Sequence, residues 1–208
     1  MKRIVTLCCV CLTLAAAVCA EANAQTPAPT PVKHGGKIES AYDGFARETV
    51  VALRRMSVTC EAARGLQGSL RGLCVSLQVT LHCPGRQLEY ARRATVRLTF
   101  EAKDWDARHP AGERDLSAVA DGETIRLGRM TLVSHGVSES WLAEDAKETL
   151  EVSVPYETFL KLVRAEYVEM SVGRTTFPLR DKNIAALRDL NNRVSAAPAA
   201  AARPGGGN

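Results

Sequence analysis

Beyond its N-terminal stretch the chain has little cysteine, few aromatics and no long hydrophobic run. Aromatic residues make up 5% of it. The formal charge is only +4, from 27 Lys and Arg against 23 Asp and Glu, with the acids interspersed among the cations. The pairs Arg54-Arg55 and Arg92-Arg93 stand isolated. A nucleic-acid surface needs a concentrated basic stripe with aromatic platforms for the bases, so no nucleic-acid partner is expected. No apolar run past the N-terminus approaches the roughly 20 residues of a membrane span, so no stable span is expected.

Catalytic and cofactor signatures are missing as well. Gly68-Ser69-Leu70-Arg71-Gly72 places its serine one position too early for a nucleophile elbow. There is no Ser-x-x-Lys, no phosphate-binding loop and no dinucleotide fingerprint. No cofactor is expected. Triads assemble from distant positions, so these absences do not by themselves exclude an enzyme.

What is present begins with a leader. The first residues read MKRIVTLCCVCLTLAAAVCAEANAQ. Lys2 and Arg3 precede an apolar run from Ile4 to Ala20, and Ala22-Asn23-Ala24 supplies the small-x-small pattern of a cleavage site. Residues 1–24 therefore read as a signal peptide. A lipoprotein needs a small residue before its acylated cysteine, and Cys19 follows Val18. Removal of the leader takes four of the seven cysteines and leaves Cys60, Cys74 and Cys83. The expected location is periplasmic or secreted, where disulfides persist.

Residues 25–37, "QTPAPTPVKHGGK", and 195–208, "SAAPAAAARPGGGN", have too little apolar surface to offset ordering entropy. They read as a flexible linker and a disordered tail around a single domain at 38–194.

Two-residue alternation dominates that domain. Val75, Leu77, Val79 and Leu81 alternate with polar residues, as do Val96, Leu98 and Phe100, and Leu150, Val152 and Val154. Each set offers one face to a core and one to water, as in antiparallel sheets. Residues 49–60 read as a further strand. Ile125 and Leu127 share a phase that Met130 and Leu132 leave, which predicts a bulge at Gly128. Asp121-Gly122 and Gly173-Arg174 are hairpin signals, and Pro178 marks an edge strand. Pro155 opens a predicted helix with Phe159, Leu160 and Val163 on one side. Asp181 is the expected N-cap of a second, with Ile184, Leu187, Leu190 or Asn191, and Val194 at helical spacing. The fold class is α+β: a mostly antiparallel sheet, sandwich-like, with two C-terminal helices.

Four histidines are candidate bases: His34 in the linker, His82 on the polar side of its strand, His109 in a loop and His135 near a strand end. All four are expected at the surface. Asp104, Asp106, Asp115, Asp121 and Glu123 lack the Asp-x-Asp-x-Asp-Gly spacing of a calcium loop and read as turn and solubilising residues. Trp105 and Trp141 are expected to cap the core. For Cys60, Cys74, His82 and Cys83, zinc is disfavoured, because adjacent strand residues point to opposite faces. Cys74 and Cys83 are about 30 Å apart along one strand, too far for a bridge. If residues 49–60 and 73–83 pair as a hairpin, Cys60 and Cys74 meet at one end. A Cys60–Cys74 disulfide is therefore predicted, despite an imperfect parity: Cys60 continues the Met56 and Val58 face, whereas Cys74 is out of phase with Val75 and Leu77. Cys83 is predicted to be a buried free thiol.

Two stretches, "YDGFARETV" and "ETLEVSVPYETFLKLVRAEYVEMSVGRTTFPLRDKNIAALRDL", resemble the strand–helix–hairpin–helix ending of a group of exported bacterial proteins of unassigned activity. The resemblance implies a bacterial envelope or secreted setting and brings no catalytic residue. The expected function is a non-catalytic binding or structural domain of the cell envelope, with a protein or envelope ligand as its partner. The alternative is an envelope hydrolase using His109 or His135.

Overall fold

The computed structural model describes residues 33–60, 73–86, 88, 90–102, 109–140 and 143–194. The leader, most of the linker, the Gly-rich loop after Cys60, the tail, Trp105, Trp141, Asp104 and Asp106 lie outside the described residues.

Ten strands and two α-helices are described, and the α+β expectation holds. In chain order the strands are β1 Ile38–Asp43, β2 Glu48–Cys60, β3 Cys74–Pro84, β4 Arg93–Ala102, β5 Asp115–Ala120, β6 Glu123–Arg129, β7 Thr131–Ser140 and β8 Ala143–Pro155, followed by β9 Val168–Val172 and β10 Thr175–Leu179. Helix α1, Tyr156–Arg164, sits between β8 and β9, and α2, Asp181–Asn192, follows β10. The six-stranded sheet runs β1-β2-β3-β4-β8-β7 and the four-stranded sheet β10-β9-β5-β6. Every pairing is antiparallel.

The alternating residues fill one continuous core. Val75, Leu77, Val79, Leu81, Val96, Leu98, Phe100, Leu150 and Val154 from the larger sheet join Leu116, Met170, Val172 and Phe177 from the smaller. The rings of Phe100 and Phe177 meet across the sheets with centroids 6.2 Å apart. α2 adds Ile184, Leu187 and Leu190, as its spacing predicts.

Three local expectations change. α1 buries Phe159, Leu162 and Val163, so Leu162 takes the inward position expected for Leu160. The N-cap of α2 is Arg180 rather than Asp181. The amide oxygen of Asn183, fully buried, accepts the Arg180 backbone N–H at 3.0 Å and does the work expected of an aspartate cap. Leu132 is exposed, because the chain leaves one sheet for the other at buried Met130, whose N–H bonds to the Arg114 carbonyl at 2.8 Å.

The bulge at Gly128 is present. Leu116 pairs with Gly128 and Ser117 with Arg126, leaving Leu127 as the extra residue. Gly128 has φ of 114°, a conformation open to glycine and strained for other residues. The Asp121-Gly122 hairpin joins β5 to β6, with φ of 48° and 86° at its two central residues, the geometry that favours Asp-Gly. Gly173-Arg174 joins β9 to β10, and β10 is the edge of its sheet.

Candidate functional site

β2 carries two irregularities against β3, one between Leu53 and Met56 and one between Ser57 and Thr59. The second inserts Val58 as an extra residue, so Thr59 pairs with Val75 and Cys60 with Cys74. That slip resolves the parity conflict. Without it Cys74 would face Thr59. The two cysteines form a disulfide with Cα atoms 4.0 Å apart. Cys83 is a buried free cysteine. Burial, reinforced by the Glu48 charge, pushes its thiol above the ordinary range.

His109 does not stand at the surface as expected; it is buried, 5% exposed. Its Nδ1 lies 2.8 Å from Oε2 of Glu148, and its Nε2 3.0 Å from Oγ1 of Thr175. The His109 backbone N–H also reaches Glu148 Oε2, at 3.2 Å. Glu148 comes from β8 in the larger sheet and Thr175 from β10 in the smaller. The imidazole therefore bridges the two sheets through the core, with its ring 4.6 Å from that of Phe100. Arg114 stands beside the pair: its Nε donates to the His109 carbonyl at 2.9 Å, and its Nη2 lies 3.7 Å from Glu148 Oε1. That oxygen is buried and has no hydrogen-bond partner among the described residues. Burial pushes the Glu148 carboxyl up, but the His109 hydrogen bonds and the His109 and Arg114 charges outweigh it, so the group stays ionised below its ordinary range. The arrangement holds a carboxylate, an imidazole and a hydroxyl in line.

Glu148 and Thr175 were missed in the sequence. The signal was phase: Glu148 continues the inward positions of Leu150 and Val152, and Thr175 those of Phe177 and Leu179. A carboxylate in phase with a core strand requires a partner.

The outer face of the larger sheet is polar. Cross-strand rows align Gln78, Arg97 and Glu151, then Thr80, Thr95 and Ser153, then His82 and Arg93. Arg97 grips Glu151 through Nε at 2.8 Å and Nη2 at 2.5 Å. His82 keeps to this face as expected, but it is half-buried rather than free. Its Nδ1 lies 2.6 Å from Glu48 Oε1 and its Nε2 2.8 Å from Thr95 Oγ1. Arg93 Nη2 donates to the same Glu48 carboxylate at 3.1 Å. Burial raises the Glu48 carboxyl, and the His82 hydrogen bond with the His82 and Arg93 charges brings it below the ordinary range. Gln78, Thr80, His82, Thr95, Arg97 and Glu151 line a depression of about 240 Å³.

The remaining histidines and acids are dispersed. His135 is exposed on β7. His34 is not free at the surface: its side chain is 10% exposed and its Nε2 lies 3.1 Å from Asp189 Oδ2 on α2. Asp121 accepts the backbone N–H groups of Glu166 and Tyr167, at 3.1 and 2.9 Å. Glu123 pairs with Lys161 at 2.6 Å, and exposed Asp115 with Arg129 at 3.4 Å. No group of three or more potential metal ligands occurs among the described residues. No helix among them is long and apolar enough to cross a membrane.

Compared with protein-family models, with curated proteins and with solved structures, the chain matches none.

Proposed function

We propose that the protein is an exported, non-catalytic domain of the cell envelope that holds a polar partner or ligand on the outer face of its six-stranded sheet. The depression bounded by Gln78, Thr80, His82, Thr95, Arg97 and Glu151 carries this reading. Amide, hydroxyl, guanidinium, carboxylate and imidazole groups converge there, and their cross-strand bonds fix them in place before any ligand arrives. Preorganised polar groups lose little entropy on binding. The leader and the Cys60–Cys74 disulfide support an oxidising compartment. The edge strand β10 is a poorer docking site than the sheet face. It is five residues long, contains Pro178, and lies across a cavity of only about 50 Å³ from Thr59, Leu73 and Val75.

A photo-crosslinking side chain in place of Gln78 tests the proposal in cells that export the protein. The expected result is a discrete adduct that disappears with Arg97→Ala. A label that yields no adduct, or one indifferent to Arg97→Ala, refutes it.

One observation favours a second reading, an envelope hydrolase using His109. The order Glu148, His109, Thr175 is that of a nucleophilic triad, with Thr175 as the hydroxyl. His135 remains a separate candidate base on β7. Hydrolysis of ester and amide substrates by the wild type, lost in His109→Ala, would support this reading. Activity unchanged when both His109 and His135 are replaced by alanine would end it.

A further inference from the structure

The turn between β1 and β2 exposes an aromatic side chain on a backbone that is held in place. Phe45 is fully exposed, at 103% of its reference area. It is not on a loose loop: Asp43 Oδ1 accepts the backbone N–H groups of Phe45 at 2.8 Å and Ala46 at 3.1 Å. Arg47 takes φ of 53°, and its carbonyl accepts the Gly85 N–H at 3.0 Å. Thr49 Oγ1 then donates to the Gly85 carbonyl at 2.8 Å. The tip is thereby tied to the connection between β3 and β4.

The surroundings are aromatic and basic. Tyr42 is 40% exposed, and the Arg86 guanidinium lies 4.6 Å from the centre of its ring. Arg92 lies 6.0 Å from the ring of Tyr90 at the same end. Among the described residues, no carboxylate lies within ion-pair distance of Arg47, Arg86 or Arg92. The acids here are engaged: Asp43 holds the turn, and Glu48 is paired with His82 and Arg93. Glu89 belongs to the same connection and lies outside the described residues.

From these positions we infer that the tip formed by Tyr42, Phe45, Arg47 and Arg86 is an interfacial anchor for an anionic phospholipid surface. The charge complements acidic headgroups, and Arg side chains carry their charge to the phosphate level while their stems cover apolar surface. Aromatic side chains settle at the same depth. A protein partner fits less well, because a specific interface covers roughly 800 Å² on each side and a single hairpin tip offers far less. The inference is independent of the polar sheet face and of the histidine bridge, neither of which it uses.

Vesicle co-sedimentation tests it with the chain as recovered after export, its N-terminus fixed by sequencing and identical in every variant. Vesicles of phosphatidylcholine alone are compared with vesicles that also contain phosphatidylglycerol. Binding is expected only to the second kind, and to weaken as salt rises. Phe45→Ala should reduce partitioning about tenfold, the effect of withholding one phenyl group from an apolar phase. The pair Arg47→Asn with Arg86→Gln should reduce it by a similar or larger factor, since each basic residue near the surface is worth about fivefold; asparagine tolerates the positive φ at 47. An unchanged melting midpoint for Phe45→Ala establishes that the fold is intact. No sedimentation, equal sedimentation with both vesicles, or full sedimentation of the Phe45→Ala variant would each overturn the anchor.

Discussion

Asn183, buried in α2, donates its side-chain amide to the carbonyl of Ser57 at 3.1 Å, at the place where β2 slips by one residue against β3. The same side chain accepts the Arg180 N–H at the start of its own helix. One residue thus serves a helix cap and a strand bulge, and the bulge sets Cys60 opposite Cys74.

Asn183→Ala should therefore lower stability by about 1–3 kcal/mol, because it removes a cap and leaves buried polar groups unpaired. Deletion of Val58 makes a sharper test of the register. Thr59 then falls opposite Cys74, and a non-reducing peptide map should lose the Cys60–Cys74 bridge. Replacing both cysteines with serine at intact Val58 should cost roughly 3 kcal/mol by the loop-closure model. A map with the bridge retained after the deletion would show that the slip does not set the pairing.

The bridge between the sheets predicts a graded series in chemical denaturation. His109→Ala leaves the Glu148 charge buried without its partner and should cost about 3–5 kcal/mol. Thr175→Val removes one hydroxyl and should cost about 1–3 kcal/mol. If both substitutions are silent, His109 does not join the sheets.

Glu148 also fixes an acid limit. Its folded-state pKa lies below the ordinary 4.5, held there by His109 and Arg114 against the cost of burial. A lowered folded pKa means stability that is fully present above the ordinary carboxylate range and is lost as pH falls through the lowered value. Glu48 and Asp189 are lowered too and contribute in the same direction. The difference between wild type and Glu148→Gln isolates the one group. That difference in melting midpoint should be constant near neutrality and shrink below about pH 4.5. A difference independent of pH would mean that Glu148 is not ionised in the folded protein.

Much of this was legible in the residue pattern, and the misses have a common cause. Alternation identified β3, β4 and the core half of β8, because one face of each meets water and the other the core. The hairpins at Asp121-Gly122 and Gly173-Arg174 declared themselves through residues that accept positive φ. The strand β1, "IESAYD", did not, since its burial is slight and uneven and no alternation is imposed on it. The histidine bridge was hidden because its three members are far apart in the chain and meet only through tertiary pairing. Composition marks His109 as a loop residue; only the phase of Glu148 and Thr175 on their strands points inward. The Cys60–Cys74 pairing was readable from hairpin ends, but the slip that permits it was not, because Val58 looks like any other strand residue.

Cys83 gives a direct chemical readout. It is buried, and burial with the nearby Glu48 charge raises its thiol above the ordinary range, so little reactive thiolate forms near neutrality. A thiol reagent should label none of the folded, leader-free protein, and one thiol per chain after denaturation without reductant. Two further thiols should appear only when reductant opens the Cys60–Cys74 bridge. Rapid labelling of the native protein would contradict both the burial and the pairing.

Gly173 ties the outer hairpin to the interior bridge, and it carries the most demanding test. Its φ is 55°, and a Cβ built there would sit 2.6 Å from the Glu113 carbonyl oxygen. Glu113 directly precedes Arg114, which braces His109 and Glu148. Gly173→Ala therefore meets two obstacles, a left-handed backbone and a backbone oxygen that cannot swing aside as a flexible side chain would. The first alone costs roughly 1 kcal/mol or more. The second must move Glu113, and with it Arg114. The expected loss is about 2–4 kcal/mol, partly from the buried pair. In a double-mutant cycle with Glu148→Gln, the two losses should therefore fall short of additive, since Arg114 no longer faces a charge once Glu148 is neutral. Strict additivity would confine the effect of Gly173 to its own turn.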